Sequence, residues 1–349
     1  MAIKDGKFMA VGSSADFEDV IGDGTEVVDL GGRFAMPGVQ DTHLHFESAY
    51  LAGMLEGRML KFTGEQRTIE DLQAALKKYA DANPDLEVLF AEQLPADLFP
   101  NLTPTKAFID EVIPDRPVVI MTGSEHEAVL NTKAMEIEGI TAETPAPQYG
   151  EIVKDPDSGE PVGYFKEAAA GKWGVKHYPS LERERHKQGL QAVIEYLNSI
   201  GITSGKQQHA KPPVATAFKD LSDENELTMR IALSWTYKGP LEPMPMEEQE
   251  RTIAERKRFA SDLIDVDFVK LSSDGVVGAT GWVLEPYHGT EGTGLSFNSL
   301  ENMTADIARF DSMGMGVTVH AMGDAAARQM IDALEAHLGL QAGTIKVYV

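Results

Sequence analysis

From residue 201 onward the chain alternates short β-branched, apolar runs with longer stretches of helical periodicity. That alternation restricts it to a parallel α/β sheet or barrel. The runs at 201–204, 228–235, 266–271 and 316–320 have strand character, and 34–39 and 344–349 extend the series at either end. Between them the segments 182–199, 245–263, 299–313 and 324–338 place apolar residues on one helical face. One interval, 47–200, breaks the rhythm. It is far longer than a βα connection needs and holds its own strand candidates (87–92, 117–121) and helices (68–82, 130–138), so it reads as an inserted cap. Residues 1–33 read as a small β module, with a hairpin turning at Asp5-Gly6 and a further strand at 26–30 before Gly31-Gly32.

Composition removes several function classes. Lys and Arg number 31 against 55 Asp and Glu, a net charge of −24, which is the wrong sign for coating a phosphate backbone or an anionic membrane. With no Cys there is no disulfide framework, cysteine zinc site, iron–sulfur cluster or thiol nucleophile, so a metal must sit on histidine, carboxylate or a modified side chain. The first ten residues carry no apolar signal-like segment, and a cytoplasmic location is expected.

Three strand ends carry chemistry. In Pro37-Gly38-Val39-Gln40-Asp41-Thr42-His43-Leu44-His45 the two histidines are separated by one residue. On a strand they share a face and can present two imidazoles to one metal. The run Val317-Thr318-Val319-His320 delivers a third histidine to a strand end before Gly323-Asp324 opens a helix. In a (β/α) barrel such ends converge on the active site. Lys270 lies near the end of the apolar run 266–271, where an ammonium is costly; it is either ion-paired or, as a carbamate, an anionic ligand able to bridge two metals. Dinucleotide, Walker and nucleophile-elbow motifs are absent; the glycines at 275, 278 and 281 have the wrong spacing for a dinucleotide turn and read as a loop.

Taken together, these segments resemble the amidohydrolase superfamily, in particular its amidohydrolase 3 branch of YtcJ-like and N-substituted formamide deformylase-like enzymes. The resemblance rests on Asp5–Gly12, Pro37-Gly38 before His43-Leu44-His45, Pro114-Asp115-Arg116-Pro117, His126 with Asn131-Thr132-Lys133-Ala134, and Gly163-Tyr164-Phe165-Lys166-Glu167. It continues through Gly201-Ile202-Thr203-Ser204, Val269-Lys270 with Asp274-Gly275, Leu284-Glu285-Pro286-Tyr287, and His320-Ala321-Met322-Gly323-Asp324.

The resemblance implies a metal-dependent-hydrolase TIM-like (β/α) barrel over 34–46 and 201–349, a composite β-sandwich to which 1–33 contributes, and the cap at 47–200. It implies a hydrolase of amide-like, non-peptide C–N bonds acting through metal-activated hydroxide. His43, His45, Lys270 and His320 would hold one or two divalent ions, with Lys270 and His320 catalytic and Lys270 carboxylated. Zinc is the first choice, with Fe, Mn and Ni suited to the same donors. His126, Glu167 and Asp274 would contact substrate, and Asn131 is a further candidate to point at the pocket from the cap. The family's strand 6 His and strand 8 Asp have no counterpart here, His337 lying within a helix. The family also usually has a stretch before the segment that Ile3 begins. The expectation is therefore an incomplete barrel of about six of its eight strands, a piece of a longer enzyme that associates with itself through its open edge. A metal- or ligand-binding protein without turnover is the alternative.

Overall fold

The computed structural model describes residues 1–54, 58–177, 179, 181–276 and 280–339. The chain divides into two compact units, Met1–Gly38 and Val39–Val349. The strand expected at 344–349 and Gly278 lie outside the described residues.

In the first unit β1 (Ala2–Lys4) and β2 (Lys7–Ala10) form an antiparallel hairpin in which Lys4 faces Lys7. Asp5 and Gly6 both take positive φ, 50° and 71°, the primed turn that matches the twist of a two-residue hairpin. The strand expected at 26–30 does not form: Val27 and Val28 are exposed, and the segment pairs with no strand among the described residues. An apolar run becomes a strand only where a neighbour takes up its backbone groups.

In the second unit β3 (Val39–Leu44) and α1 (Phe46–Met54) lead into the inserted region. There β4 (Leu60–Lys61), α2 (Ile69–Ala82), β5 (Leu89–Leu94), α3 (Ala107–Asp110), β6 (Val118–Thr122), β7 (Glu127–Leu130), α4 (Thr132–Glu138), β8 (Gly150–Lys154), β9 (Pro161–Glu167) and α5 (Ala168–Trp173) follow. The strands make one six-stranded sheet in the order β4-β5-β6-β7-β9-β8, parallel from β4 to β6 and antiparallel thereafter. Both faces are covered: Leu89, Ala91, Val118 and Ile120 pack with Leu72 and Leu76 of α2, while Phe90, Val119 and Met121 pack with Phe165 and Trp173. That double burial explains the unbroken apolar run of β6.

The chain then runs through α6 (Arg183–Ser199), β10 (Ile202–Ala210), α7 (Pro212–Asp223), β11 (Arg230–Thr236), α8 (Met246–Ala254), β12 (Ile264–Ser272), α9 (Leu300–Ser312), β13 (Gly316–His320) and α10 (Asp324–Leu338). The five strands β3-β10-β11-β12-β13 pair in parallel, in the order a barrel requires of its strands 1 to 5. Ile231, Leu233, Trp235, Val269 and Leu271 face the helices and form the core with Leu190, Phe218 and Phe310. Alternate residues face the other way, into what is the lumen of a closed barrel.

Two expected elements are corrected. The first barrel strand starts at Val39 rather than at 34, five residues late, because Pro37 has no N–H for a ladder. The helix expected over 245–263 ends at Ala254 and is followed by a 3₁₀ turn, Arg256–Phe259, in which the Arg256 Nε donates to Asp267 at 2.8 Å. No helix among the described residues is long and apolar enough to cross a membrane.

Candidate metal centre

The parallel sheet brings its polar strand ends to one side. Leu44 packs into the core, so its neighbours His43 and His45 turn to the lumen face. Val269 and Leu271 likewise point at the helices, leaving Lys270 in the lumen opposite Thr236 on one side and Thr318 on the other. His320, at the end of β13, stands opposite Ser272. The rings of His43 and His45 lie 5.4 Å apart at 54°.

The electrostatics are those of a cationic, partly dehydrated cluster. Burial, then the charges of Lys270 and His320, hold His43 below its ordinary range. Burial and His43 bring His45 down to about 4. His320 is lowered by burial first. Lys270 is 1% exposed and its amine has no hydrogen bond or ion pair among the described residues; burial, then Lys206, lowers it to about 8. Neutral imidazoles and a readily deprotonated amine keep their lone pairs for a metal or for CO₂.

From the other side the cap supplies His126 and Glu167. The His126 ring stacks on His320 with centroids 5.9 Å apart. Its Nδ1–H donates to Glu167 Oε2 at 2.8 Å, while Glu167 Oε1 accepts from the Thr280 hydroxyl. Glu167, 1% exposed, thus ties the cap to the loop after β12. A Cβ on Gly275 would strike both Thr280 and the Glu167 carboxylate, so the loop passes here only as glycine. His320 Nε2–H donates to the Gly275 carbonyl at 2.9 Å, which leaves Nδ1 as its open nitrogen.

The two remaining candidates are occupied otherwise. Asp274, fully buried, accepts from the backbone N–H of Trp282 (2.8 Å), Met322 (2.9 Å) and Gly323 (2.7 Å). Its oxygens brace the turn behind His320 and are not free for a substrate. Asn131, placed near the pocket by expectation, instead caps α4: its Oδ1 accepts from Val118 and Ala134, and its Nδ2 donates to Ile113 and Arg116. A residue with all four hydrogen-bonding positions filled has nothing left for the site.

Sequence reading missed His209. It ends β10, its ring 5.5 Å from that of His45, and burial, followed by Lys270 and His45, holds it well below the ordinary histidine range. The strand-end criterion that found His320 reaches it once β10 is extended from residue 204 to Ala210. Unpartnered polar atoms also collect here: Gln208 Oε1, Ser234 Oγ and Thr236 Oγ1 are buried without a hydrogen bond, Thr236 directly opposite Lys270. Two imidazoles bound to one tetrahedral ion at about 2.1 Å place their centroids roughly 5 Å apart, close to the spacings seen here. Among the described residues no three histidine or carboxylate side chains already form a metal cage. The donor set fits a divalent ion provided an oxygen ligand such as a carbamate on Lys270 joins it.

With that geometry in place, comparison with known proteins decides the family: the amidohydrolase family model (Amidohydro_3) matches residues 26–347. The chain belongs to the amidohydrolase family. It is 26% identical to YtcJ of Bacillus subtilis (strain 168) over 341 residues, 96% of this chain and 62% of that protein. It is 22% identical over 344 residues to the N-substituted formamide deformylase of Arthrobacter pascens, covering 61% of it. Among solved structures, an uncharacterized metal-dependent hydrolase from Pyrococcus horikoshii OT3 matches with a TM-score of 0.65 and 25% identity over 96% of this chain and 63% of that one. The chain therefore spans somewhat under two thirds of the length of each of these three. The fold is that of the metal-dependent hydrolases, here as a curled five-stranded part of the barrel.

Proposed function

We propose that this chain carries the metal-binding side of a hydrolase that cleaves amide-like, non-peptide C–N bonds in small molecules. One observation carries the reading: a buried lysine without a counter-charge lies among neutral histidines at the carboxyl ends of parallel strands, in a chain of the amidohydrolase family. Similarity to an N-substituted formamide deformylase supports the bond class. His43, His45, Lys270 and His320 hold one or two divalent ions, zinc by preference, with Lys270 as its carbamate; the unpartnered hydroxyl of Thr236 beside Lys270 suits an anionic oxygen there. A bound ion would supply Lewis-acid polarisation of a carbonyl and a water acidified toward neutral pH.

The chain's own groups do the rest. Glu167 fixes the His126 ring through Nδ1, leaving Nε2 free to meet a substrate over His320. Asp274 holds the turn that presents His320, and Gly275 accepts its Nε2–H. A cytoplasmic location fits an enzyme of small polar substrates.

The test is metal content together with a panel of N-substituted formamides and related amides. Wild-type protein is expected to bind metal stoichiometrically, Lys270→Ala to lose most of it, and Lys270→Glu to recover part through its carboxylate. Wild-type metal content in Lys270→Ala would leave Lys270 a structural residue. Metal in stoichiometric amount with no turnover on any substrate would favour the binding-only alternative.

A further inference from the structure

We propose that His209 is a metal ligand contributed by the second barrel strand, sharing a divalent ion with His45. This rests on the metal-hydrolase reading above and adds a donor that the resemblance does not supply.

Backbone geometry singles the residue out. The β10–β11 register shifts between Gln207 and Ala210, and His209 takes φ 55°, in the left-handed region that non-glycine residues adopt uncommonly and histidine more often than most. Such a bulge at the end of a barrel strand re-aims a side chain. Here Ala210 remains in the core, and the His209 ring is brought to within 5.5 Å of His45 at 48°. That pair nearly repeats the geometry of His43 and His45, 5.4 Å and 54°. His45 stands between the other two rings, each at a spacing that two ligands of one tetrahedral ion take.

The same short segment also fixes the strand that carries the other two histidines. Gln207 Oε1 accepts from Phe46 N–H at 2.8 Å, and Gln208 Nε2 donates to the Thr42 carbonyl at 3.2 Å. These bonds bracket His43 and His45, so all three imidazoles are held by one local frame. The His209 ring has no hydrogen bond among the described residues, although the two glutamines before it are bonded. A half-buried imidazole with both nitrogens open is suited to ligation, whereas histidines away from the site are hydrogen-bonded, as His186 is to Tyr50 and His177 to Glu138.

Metal-free protein titrated with Zn²⁺ and with Co²⁺ tests this directly. His209→Ala and His209→Gln are expected to weaken Zn²⁺ binding by about tenfold or more and to change the visible absorption of the Co²⁺ form, while His337→Ala, on α10, behaves as wild type. Circular dichroism establishes that the variants fold. Wild-type protein gives an independent readout: with bound Cu²⁺ and ascorbate, metal-catalysed oxidation mapped by mass spectrometry should modify His209 together with His45. Unchanged Zn²⁺ affinity and Co²⁺ spectrum in folded variants, or oxidation of His45 without His209, would overturn the assignment. Loss of binding in His45→Ala but not in His209→Ala defeats this inference alone. No metal bound by wild type defeats the hydrolase reading with it.

Discussion

Lys270 is the residue at which function and stability pull in opposite directions. An amine 1% exposed, with no partner among the described residues, is a cost that the apo fold bears. Lys270→Met keeps the length and apolar stem and removes the amine. It is expected to raise the stability of metal-free protein by about 1–2 kcal/mol, read from chemical denaturation, while abolishing tight metal binding. A variant less stable than wild type would show that Nζ has a structural partner. Asn131 makes the opposite case. It is fully buried and satisfies two backbone N–H groups and two carbonyls. Asn131→Ala should destabilise the cap by about 3 kcal/mol and leave metal affinity unchanged, since the orphaned backbone groups lie away from the histidines. A changed metal affinity in a folded Asn131→Ala protein would return it to the pocket.

At the level of elements, α8 and α9 are joined by Arg309, which donates to both oxygens of Glu250 and to the Tyr237 hydroxyl. The bond from Arg309 holds Glu250 below its ordinary carboxylate range. A carboxyl with a depressed folded-state pKa adds stability that is complete above about pH 4.5 and disappears as pH falls through the folded value. Glu250→Gln should therefore cost under about 1 kcal/mol near neutrality, both side chains being more than a third exposed, and nothing in strong acid. Parallel pH-stability curves for the two proteins would sink the idea. Strand and helix placement is legible where an element alternates or repeats cleanly: 316–320 and 324–338 coincide with β13 and α10. What escaped has local causes. The bulge that aims His209 is a backbone event with no residue signature, so the apolar run marks a strand only as far as 204 and leaves the histidine outside it. Several motifs that marked the family turn out to hold the cap together: Arg116 donates to the carbonyls of Ala80, Asn83 and Leu86 at the end of α2, and Asn131 caps α4. A sequence motif shows that a residue matters, and only its hydrogen bonds show whether it matters to chemistry or to packing.

For the molecule as a whole, β3 and β13 each have one neighbour among the described barrel strands, so among the described residues their outer backbone N–H and C=O groups have no strand partner. The lumen side is open as well: a groove of about 680 Å³ runs below the histidines, lined by Gln40, Lys206, Arg230, Asp265 and Phe268. Lys206 lies over the Phe268 ring, 3.7 Å from its centre. Val39 is exposed at the start of β3. Such an edge pairs readily with another copy, and the barrier to that encounter is the chain's own charge of −24. Salt screens repulsion beyond about 8 Å at physiological strength and leaves backbone pairing and apolar burial almost untouched. Self-association of the 349-residue chain should therefore rise with salt, the reverse of an assembly held by ion pairs. Sedimentation velocity at about 50 mM and about 500 mM NaCl, over a range of protein concentrations, reads this directly. The expected result is a monomer–oligomer equilibrium that shifts toward oligomer at the higher salt. A Val39→Lys substitution on the edge of β3 should shift it back, because charge on an edge strand opposes pairing. A monomer at every salt and protein concentration would mean that the two strand edges are covered within the chain itself.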